Sequence, residues 1–124
     1  MTGSEDKATI LILARDVLGG GLLGALVEAE GSTPCYAFDG ERPELAVERL
    51  RPTMVLVDAY HPAARTDAFF AAARARDVRV VLFAPSVPWH EMQEVAERWG
   101  VRIIHPRDGG SLGRLIRGAI RDPD

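Results

Sequence analysis

The stretch RPTMVLVDAYHP, residues 51–62, decides the fold of this 124-residue chain. Its apolar run, residues 54–57, is followed directly by Asp58, and Pro62 comes four residues later. An apolar run that is too short for a helix is typical of a strand buried on both faces of a sheet. Open α/β sheets place their ligand crevice at the carboxyl ends of such strands, so Asp58 is the first candidate site residue. The simpler interpretation is that its side chain caps the turn after the strand.

The composition is that of one globular domain covering residues 1–124, with 47% hydrophobic and 27% charged residues. The formal net charge of -3 argues against a nucleic-acid surface, which needs clustered positive charge. No apolar run approaches the ~20 residues that span a bilayer, and the polar lead-in 1–7 lacks the apolar core of a secretory signal. Cys35 is the only cysteine, which excludes an internal disulfide or a cysteine zinc cluster, and a cytoplasmic location is predicted.

Strand-like and helix-like patterns alternate five times along the chain, without a linker or a repeat. Crossovers of this kind force a parallel sheet with helices on both faces, so the sequence predicts a doubly wound, five-stranded α/β domain. A loop is predicted over Arg15–Gly21, before a helix that begins near Leu22 and ends before Gly31. The predicted strands cover residues 8–14, 34–38, 54–58, 78–83 and 101–104. The other predicted helices begin near Pro43, Asp67, Pro88 and Ser111.

Glycines near the start of the chain support an alternative function. The segment Gly19–Gly24 fits the pattern G-x-G-x-x-G, and Asp39 stands at the end of the second predicted strand. In Rossmann-like nucleotide binders, such a loop lets backbone N–H groups approach a pyrophosphate. Here, however, Arg15–Leu18 separate the glycines from the first strand, and Asp39 follows them by fewer residues than is usual. A small Rossmann-like nucleotide binder is therefore the alternative and not the first choice.

A second pattern extends over nearly the whole chain, residues 8–120. Its residues are Phe38-Asp39-Gly40-Glu41, Leu45-Ala46, Arg51-Pro52, Val55-Leu56-Val57-Asp58, Pro62 and Pro106. In element order, spacing and length the chain resembles the response-regulator receiver domain. The resemblance implies a flavodoxin-like sheet with strand order 2-1-3-4-5, and it makes Asp58 the equivalent of the aspartate that accepts a phosphoryl group. In receivers, the proline equivalent to Pro106 follows an active-site lysine through a bond that is usually cis.

The other four members of the receiver phosphorylation site are replaced in this chain. The resemblance puts the two Mg²⁺-binding acids on Ala14 and Arg15, the hydroxyl on Ala84 and the lysine on His105. Only Asp58 remains of the five. Since phosphoryl transfer needs positive charge on the equatorial oxygens, this loss predicts a receiver domain that signals without phosphorylation. It also predicts that the domain is not an enzyme and binds no cofactor, Mg²⁺ included.

Two polar residues lie close to the replaced positions. Asp16 follows the acid position by one residue, and Ser86 follows the hydroxyl position by two. A single displaced acid is a poor octahedral Mg²⁺ site, and Ser86 is a distant substitute for the hydroxyl. The Arg15 guanidinium suggests another replacement for the metal, because it could pair with Asp58 and fix one receiver conformation. The alternative is that Arg15 points into water.

His105 suggests two further hypotheses. Charged below about pH 6.5, it would act as a weak substitute for the missing lysine. Together with Asp16, Asp58 and His61 it could form a zinc or iron site, although ligands of such mixed spacing give little specificity.

The fourth helix, fifth strand and last helix form the partner face of receivers, and here the chain departs from the family. Arg102 takes the position of the signal-transmitting aromatic residue, so the usual swing of that ring is unavailable. Trp89 and Trp99 lie on the predicted fourth helix, where packing against the sheet is favoured and exposure to a partner is the alternative. The sequence predicts a protein partner or a homodimer through this face, an output domain after residues 122–124, and no nucleic-acid or membrane contact. A receiver fold gated by a small molecule near Asp58 is the remaining alternative.

Overall fold

The alternating strands and helices form one parallel sheet with helices on both faces, in a computed structural model that describes residues 8–84, 90–105 and 112–121. The strands are β1 (Thr9–Leu13), β2 (Thr33–Tyr36), β3 (Met54–Asp58), β4 (Arg79–Phe83) and β5 (Arg102–Ile104). The helices are α1 (Val17–Ala29), α2 (Pro43–Leu50), α3 (Asp67–Ala75), α4 (His90–Trp99) and α5 (Leu112–Arg121), with a short 3₁₀ turn over Pro62–Arg65. The sheet order is β2-β1-β3-β4-β5, so the predicted doubly wound fold and its strand order are confirmed.

The residues of β3 show why this strand lies inside the sheet. Met54 and Leu56 pack with α1 and α5, whereas Val55 and Val57 pack with α2, α3 and α4. All four side chains are at most 1% exposed. The strand is also paired along both edges, with β1 and with β4. Asp58 is therefore the first polar residue after a run that is covered from every side, and it lies half-buried at the carboxyl edge of the sheet.

The start of α1 differs from the prediction. The expected loop over Arg15–Gly21 is wrong, because the helix begins at Val17. Asp16 starts it as an N-cap, with its Oδ1 accepting a hydrogen bond of 2.7 Å from the N–H of Gly19. Close packing explains Gly24, since a Cβ there would overlap the hydroxyl of Tyr36. The predicted stop is confirmed, because the chain leaves the helix through Gly31, whose φ is +85°.

The strand at the sheet edge, β2, is shorter than predicted and ends at Tyr36 rather than residue 38. The N–H of Phe38 donates to Glu41 Oε1 at 2.9 Å instead of to a neighbouring strand. Arg49 donates two hydrogen bonds of 2.8 Å to the same carboxylate, and its guanidinium lies 3.8 Å from the ring centroid of Phe38. These contacts fix the chain as a corner between β2 and α2.

Several sequence predictions fall on residues outside the described ranges. They concern the lead-in 1–7, Ser86, Trp89 and Pro106. Within the described ranges, every helix is too short or too polar to cross a bilayer.

Candidate functional site

Asp58 is held in a turn made by its own backbone. Its Oδ1 accepts a hydrogen bond of 2.9 Å from the N–H of Tyr60, and its carbonyl accepts one of 2.8 Å from the N–H of His61. This is the local side-chain-to-backbone turn that aspartate favours after a strand. Asp58 therefore caps the turn after β3, as the simpler interpretation predicts, and it uses one carboxylate oxygen to do so. It also lies at the edge of the sheet where the ends of β1, β3 and β4 meet.

Arg15 does not pair with Asp58. Its guanidinium carbon lies 5.6 Å from the centroid of the Tyr60 ring, a distance suited to a cation–π contact. The proposed ion pair with Asp58 is therefore wrong, and Arg15 is exposed to water, as the alternative predicted, while it also contacts the Tyr60 ring. The sequence held a signal for this contact that was not used, because an aromatic residue two positions after a strand-end aspartate lies at the same sheet edge.

Asp16 is fully engaged with the start of α1. The carbonyl of Asp16 accepts a hydrogen bond of 3.0 Å from the N–H of Gly20, which is the first bond of the helix, and its Oδ1 accepts the N–H of Gly19. The Asp16 carboxylate therefore lies at the amino-terminal end of α1, where the helix dipole attracts negative charge. A residue in this role does not turn back toward Asp58 to hold a metal ion. Its negative charge also disfavours a phosphate at the helix start.

The far side of the crevice is closed by Ala84 and His105. Ala84 is fully buried after β4, and its carbonyl accepts a hydrogen bond of 3.0 Å from Nδ1 of His105. That bond assigns the proton to Nδ1, so Nε2 carries the lone pair in the neutral ring. His105 is only 7% exposed, and no residue in the described ranges forms a hydrogen bond with its Nε2. The ring is thus tied to the backbone of β4 and is not placed as a mobile cation in the manner of the missing lysine.

His61 is the second histidine near Asp58, and it too serves a local structure. Its Nδ1 accepts a hydrogen bond of 3.0 Å from the N–H of Ala63 at the start of the 3₁₀ turn. Burial lowers the pKa of His61, and the negative charge of Asp58 opposes this only in part. The neutral form with its proton on Nε2 is therefore favoured at neutral pH.

The receiver fold implies a Mg²⁺ ion at this edge, and the residues present do not fit one. A methyl group and a guanidinium take the places of the two acids, and Asp16 is occupied by the helix start. Throughout the described ranges, no three His, Cys, Asp or Glu side chains converge in a way that could hold a metal ion. The hypothetical zinc or iron site formed by His105, Asp16, Asp58 and His61 is therefore not assembled.

A cavity of about 540 Å³ lies beside this edge, between the ends of β1 and β2. The start of α1 forms one wall, with Arg15, Gly20 and Gly21. The corner after β2 forms the other, with Phe38 and Asp39. Among the described residues, those that line this cavity include His61 and not Asp58, so the cavity lies toward the sheet edge from the crevice that the sequence predicts at Asp58.

Trp99 on α4 packs inward against α3. Its ring stacks on Phe70 with centroids 5.8 Å apart and planes 15° from parallel, and its Nε1 donates to Asp67 Oδ1 at 2.9 Å. Arg74 covers the other side, with its guanidinium carbon 4.9 Å from the Trp99 ring centroid. The packing interpretation is confirmed for Trp99, which is half-buried. Arg102, by contrast, is exposed on β5.

Neither a protein-family model nor a curated protein sequence matches this chain. Solved structures do match it. The signal receiver domain of a modulated diguanylate cyclase from Desulfovibrio desulfuricans G20 aligns with a TM-score of 0.71 and 20% identity, over 94% of this chain and 92% of that one. The response-regulator receiver domain from Bermanella marisrubri aligns with a TM-score of 0.72 and 12% identity, over 94% and 97% of the two chains.

A third match is a pilus assembly-related protein from Burkholderia pseudomallei K96243. It aligns with a TM-score of 0.66 and 18% identity, over 98% of this chain and 90% of that one. Identities this low carry the architecture and not the chemistry of a site. In its strand order and in these alignments, the chain has the fold of response-regulator receiver domains.

Proposed function

We propose that this chain is a receiver-type signalling module that works without phosphorylation. The observation that supports the proposal most strongly is that Asp58 lies at an edge where, among the described residues, no three potential metal ligands converge. An incoming phosphoryl group would meet the methyl groups of Ala14 and Ala84 where the fold family has an acid and a hydroxyl. Without a metal ion or a mobile lysine to stabilise the equatorial oxygens, transfer to Asp58 loses several kcal/mol of transition-state stabilisation, roughly the contribution of a catalytic metal.

The output of such a module is a protein contact, and the face formed by α4, β5 and α5 has the charge pattern for one. The exposed acids of α4 are Glu91, Glu94 and Glu97, and the exposed bases of α5 are Arg114, Arg117 and Arg121, of which Arg117 is paired with Glu30. Arg102 stands between the two helices on β5. An acidic stripe beside a basic stripe favours a partner with the opposite arrangement and speeds its association. The partner is another protein, an output domain, or a second copy turned by a two-fold axis.

The phosphorylation part of the proposal is tested with beryllofluoride and Mg²⁺, which together mimic a phosphoryl group on aspartate. The melting temperature of the full chain is expected to stay unchanged, and acetyl phosphate with Mg²⁺ is expected to add no mass. A rebuilt variant with Ala14→Asp, Arg15→Asp, Ala84→Thr and His105→Lys is the positive control. A Mg²⁺-dependent adduct on Asp58 of the natural chain would overturn the proposal.

The partner face is tested by charge reversal. Arg121→Glu removes one base of α5, and Arg51→Glu makes the same change at an exposed residue between α2 and β3, at the amino end of the sheet. If the α4-β5-α5 face binds a charged partner or a second copy, association measured by light scattering or by binding to that partner weakens with Arg121→Glu only, and it weakens further with added salt. Equal effects of the two substitutions would contradict the assignment of this face. A cytoplasmic location is part of the same prediction.

The cavity beside α1 supports a second candidate function, gating by a small ligand. Its volume of about 540 Å³ is in the range of small-molecule sites, and it carries both apolar walls and the cation of Arg15. Thermal-shift measurements with nucleotides and aromatic acids test this candidate. A ligand that raises the melting temperature of the natural chain but not of an Arg15→Ala variant would favour it, and NAD or another nucleotide would revive the Rossmann-like alternative.

A further inference from the structure

The helix α1 is apolar on its exposed side as well as on its buried side. Its buried residues are Gly20, Leu23, Gly24 and Val27. Its exposed residues are Val17, Leu18, Gly21, Leu22, Ala25, Glu28 and Ala29. Val17 and Leu18 are 91% and 87% exposed, and Leu22 is 56% exposed. A helix that is apolar on all sides is normally covered on all sides.

The exposed side of α4 differs from the exposed apolar side of α1. The exposed residues of α4 are polar or charged along its whole length, from His90 to Arg98. On α1 the single charged residue of the exposed side is Glu28, in the last turn. A contiguous apolar surface with a charged residue only at its end marks an interaction site.

We infer that α1 binds α1 of a second copy of this chain, with the two helices antiparallel about a two-fold axis. Leu18 and Ala25 are seven residues apart, two helical turns, and both are exposed, so they lie on one line of the surface. A two-fold axis midway between them places Leu18 of each copy against Ala25 of the other. Gly21 lies beside the axis, and a Cβ there would meet no atom of its own chain. Large residues thus face small ones, which is the self-complementarity that a two-fold contact requires.

The ends of α1 favour the antiparallel arrangement over the parallel one. Arg15 precedes the amino-terminal end of the helix, and Glu28 lies in its last turn. Asp16 sits at the amino-terminal end too, but its carboxylate is bonded to the helix start. Glu30, beyond the last turn, is likewise paired, with Arg117 at 2.8 Å. An antiparallel pair opposes the helix dipoles and brings Glu28 of one copy toward the exposed Arg15 of the other, which would exchange its contact with the Tyr60 ring for the carboxylate, whereas a parallel pair brings like charges together.

The exposed area sets the strength of the association. Aliphatic side chains of this size carry on the order of 100 Å² of apolar surface each, so the exposed fractions of Val17, Leu18 and Leu22 give each copy roughly 230 Å². Tyr36 and Phe38, which line the same cavity as Val17 and are 47% and 65% exposed, add roughly 100 Å² each. Two copies would bury about 900 Å², somewhat below the ~1,200 Å² of stable specific interfaces. The contact therefore makes a weak dimer whose population depends on concentration.

The experiment is sedimentation equilibrium of the full chain from low micromolar to millimolar concentration. Ala25→Glu places a carboxylate against Leu18 of the second copy, and it is expected to weaken association at least ~10-fold. Ala71→Glu makes the same change on the exposed side of α3 and is expected to leave association unchanged. Circular dichroism melts of both variants check that the monomer is intact, since both positions are exposed in the single chain.

A double variant fixes the orientation of the two helices. Leu18→Lys combined with Ala25→Glu forms two opposite-charge pairs in the antiparallel dimer and two like-charge pairs in a parallel one. Recovery of association relative to Ala25→Glu alone is therefore expected. A natural chain that stays monomeric at millimolar concentration would overturn the inference, as would equal effects of Ala25→Glu and Ala71→Glu, or no recovery in the double variant. Dissociation by Arg121→Glu with none by Ala25→Glu would also overturn it and would assign the dimer to the α4-β5-α5 face.

Discussion

Replacing Gly21 by alanine should stabilise the protein, because this glycine lies inside a helix. Gly21 is in the second turn of α1, its φ is not among the positive values, and its position is exposed. A Cβ at this position would meet no other atom within 4 Å. The substitution therefore gains the helix preference of alanine over glycine, about 0.8–1.0 kcal/mol, with no steric cost. For a domain of this size the melting temperature should rise by about 3–5 °C.

Gly24 is the matched control, three residues further along the same helix. Gly24→Ala gains the same helix preference, but its Cβ would overlap the hydroxyl of Tyr36. Moving that half-exposed ring costs about 1–3 kcal/mol, so the net effect should be neutral or destabilising. Adding Tyr36→Ala removes the overlap, and the two substitutions should therefore couple by roughly 0.5–3 kcal/mol in a double-mutant cycle.

The assay is urea unfolding followed by circular dichroism, at a protein concentration low enough to keep the chain monomeric. Gly31→Ala should instead lower the free energy of unfolding by about 1–2 kcal/mol, because the φ of Gly31 is +85°, a left-handed value that is unfavourable for any residue with a side chain. If Gly21→Ala is neutral or destabilising while Gly31→Ala behaves as expected, then residues 17–21 are not helical. That result would refute the helix start at Val17 and would return the glycines to the loop that a nucleotide binder needs.

Three further predictions follow from single contacts. Arg49 holds the pKa of Glu41 at about 2, below its ordinary value of 4.5. The stability that Glu41 contributes is therefore present above pH 4.5 and is lost as the pH falls toward 2. The urea midpoints of the natural protein and of Glu41→Gln should differ at pH 7 and converge in acid. Trp99→Phe keeps the stacking on α3 but loses the hydrogen bond to Asp67, and it should lower the free energy of unfolding by about 0.5–1.5 kcal/mol in urea titrations. Asp16→Ala removes the cap of α1 and should cost about 0.5–2 kcal/mol in the same assay.

The architecture could be predicted because its signals are local and redundant. The run ending at Asp58 can only be a strand covered on both faces, and the alternation of five such runs with helical patterns leaves few topologies open. The start of α1 could not be predicted from glycine content, because the reason for Gly24 lies in the packing of Tyr36 from another strand. The cap signature itself was present, since an aspartate directly precedes an apolar helix.

For the candidate site, the sequence predicted the positions of the residues better than the contacts of their side chains. The sequence correctly placed Asp58 at the carboxyl end of β3 and Ala84 and His105 directly after β4 and β5, whereas β2 ends two residues earlier than predicted. It did not determine the direction of the Arg15 side chain, which depends on the ring position of Tyr60. Nor did it assign His61 to the start of the 3₁₀ turn, because that turn has too few residues to leave a periodic pattern.

Four described polar side chains near the crevice share one property that bears on function, because each forms a hydrogen bond with nearby backbone. Asp16 binds the start of α1, Asp58 binds Tyr60, His61 binds the 3₁₀ turn and His105 binds the carbonyl of Ala84. A phosphoryl group on Asp58 would compete with the N–H of Tyr60 for the same carboxylate, and Asp16 Oδ1 and His61 Nδ1 are acceptors that offer it no proton. The proposed phosphorylation-independent function therefore predicts that a change of state is driven from the outer surfaces, where α1 is apolar and α4 and α5 are charged.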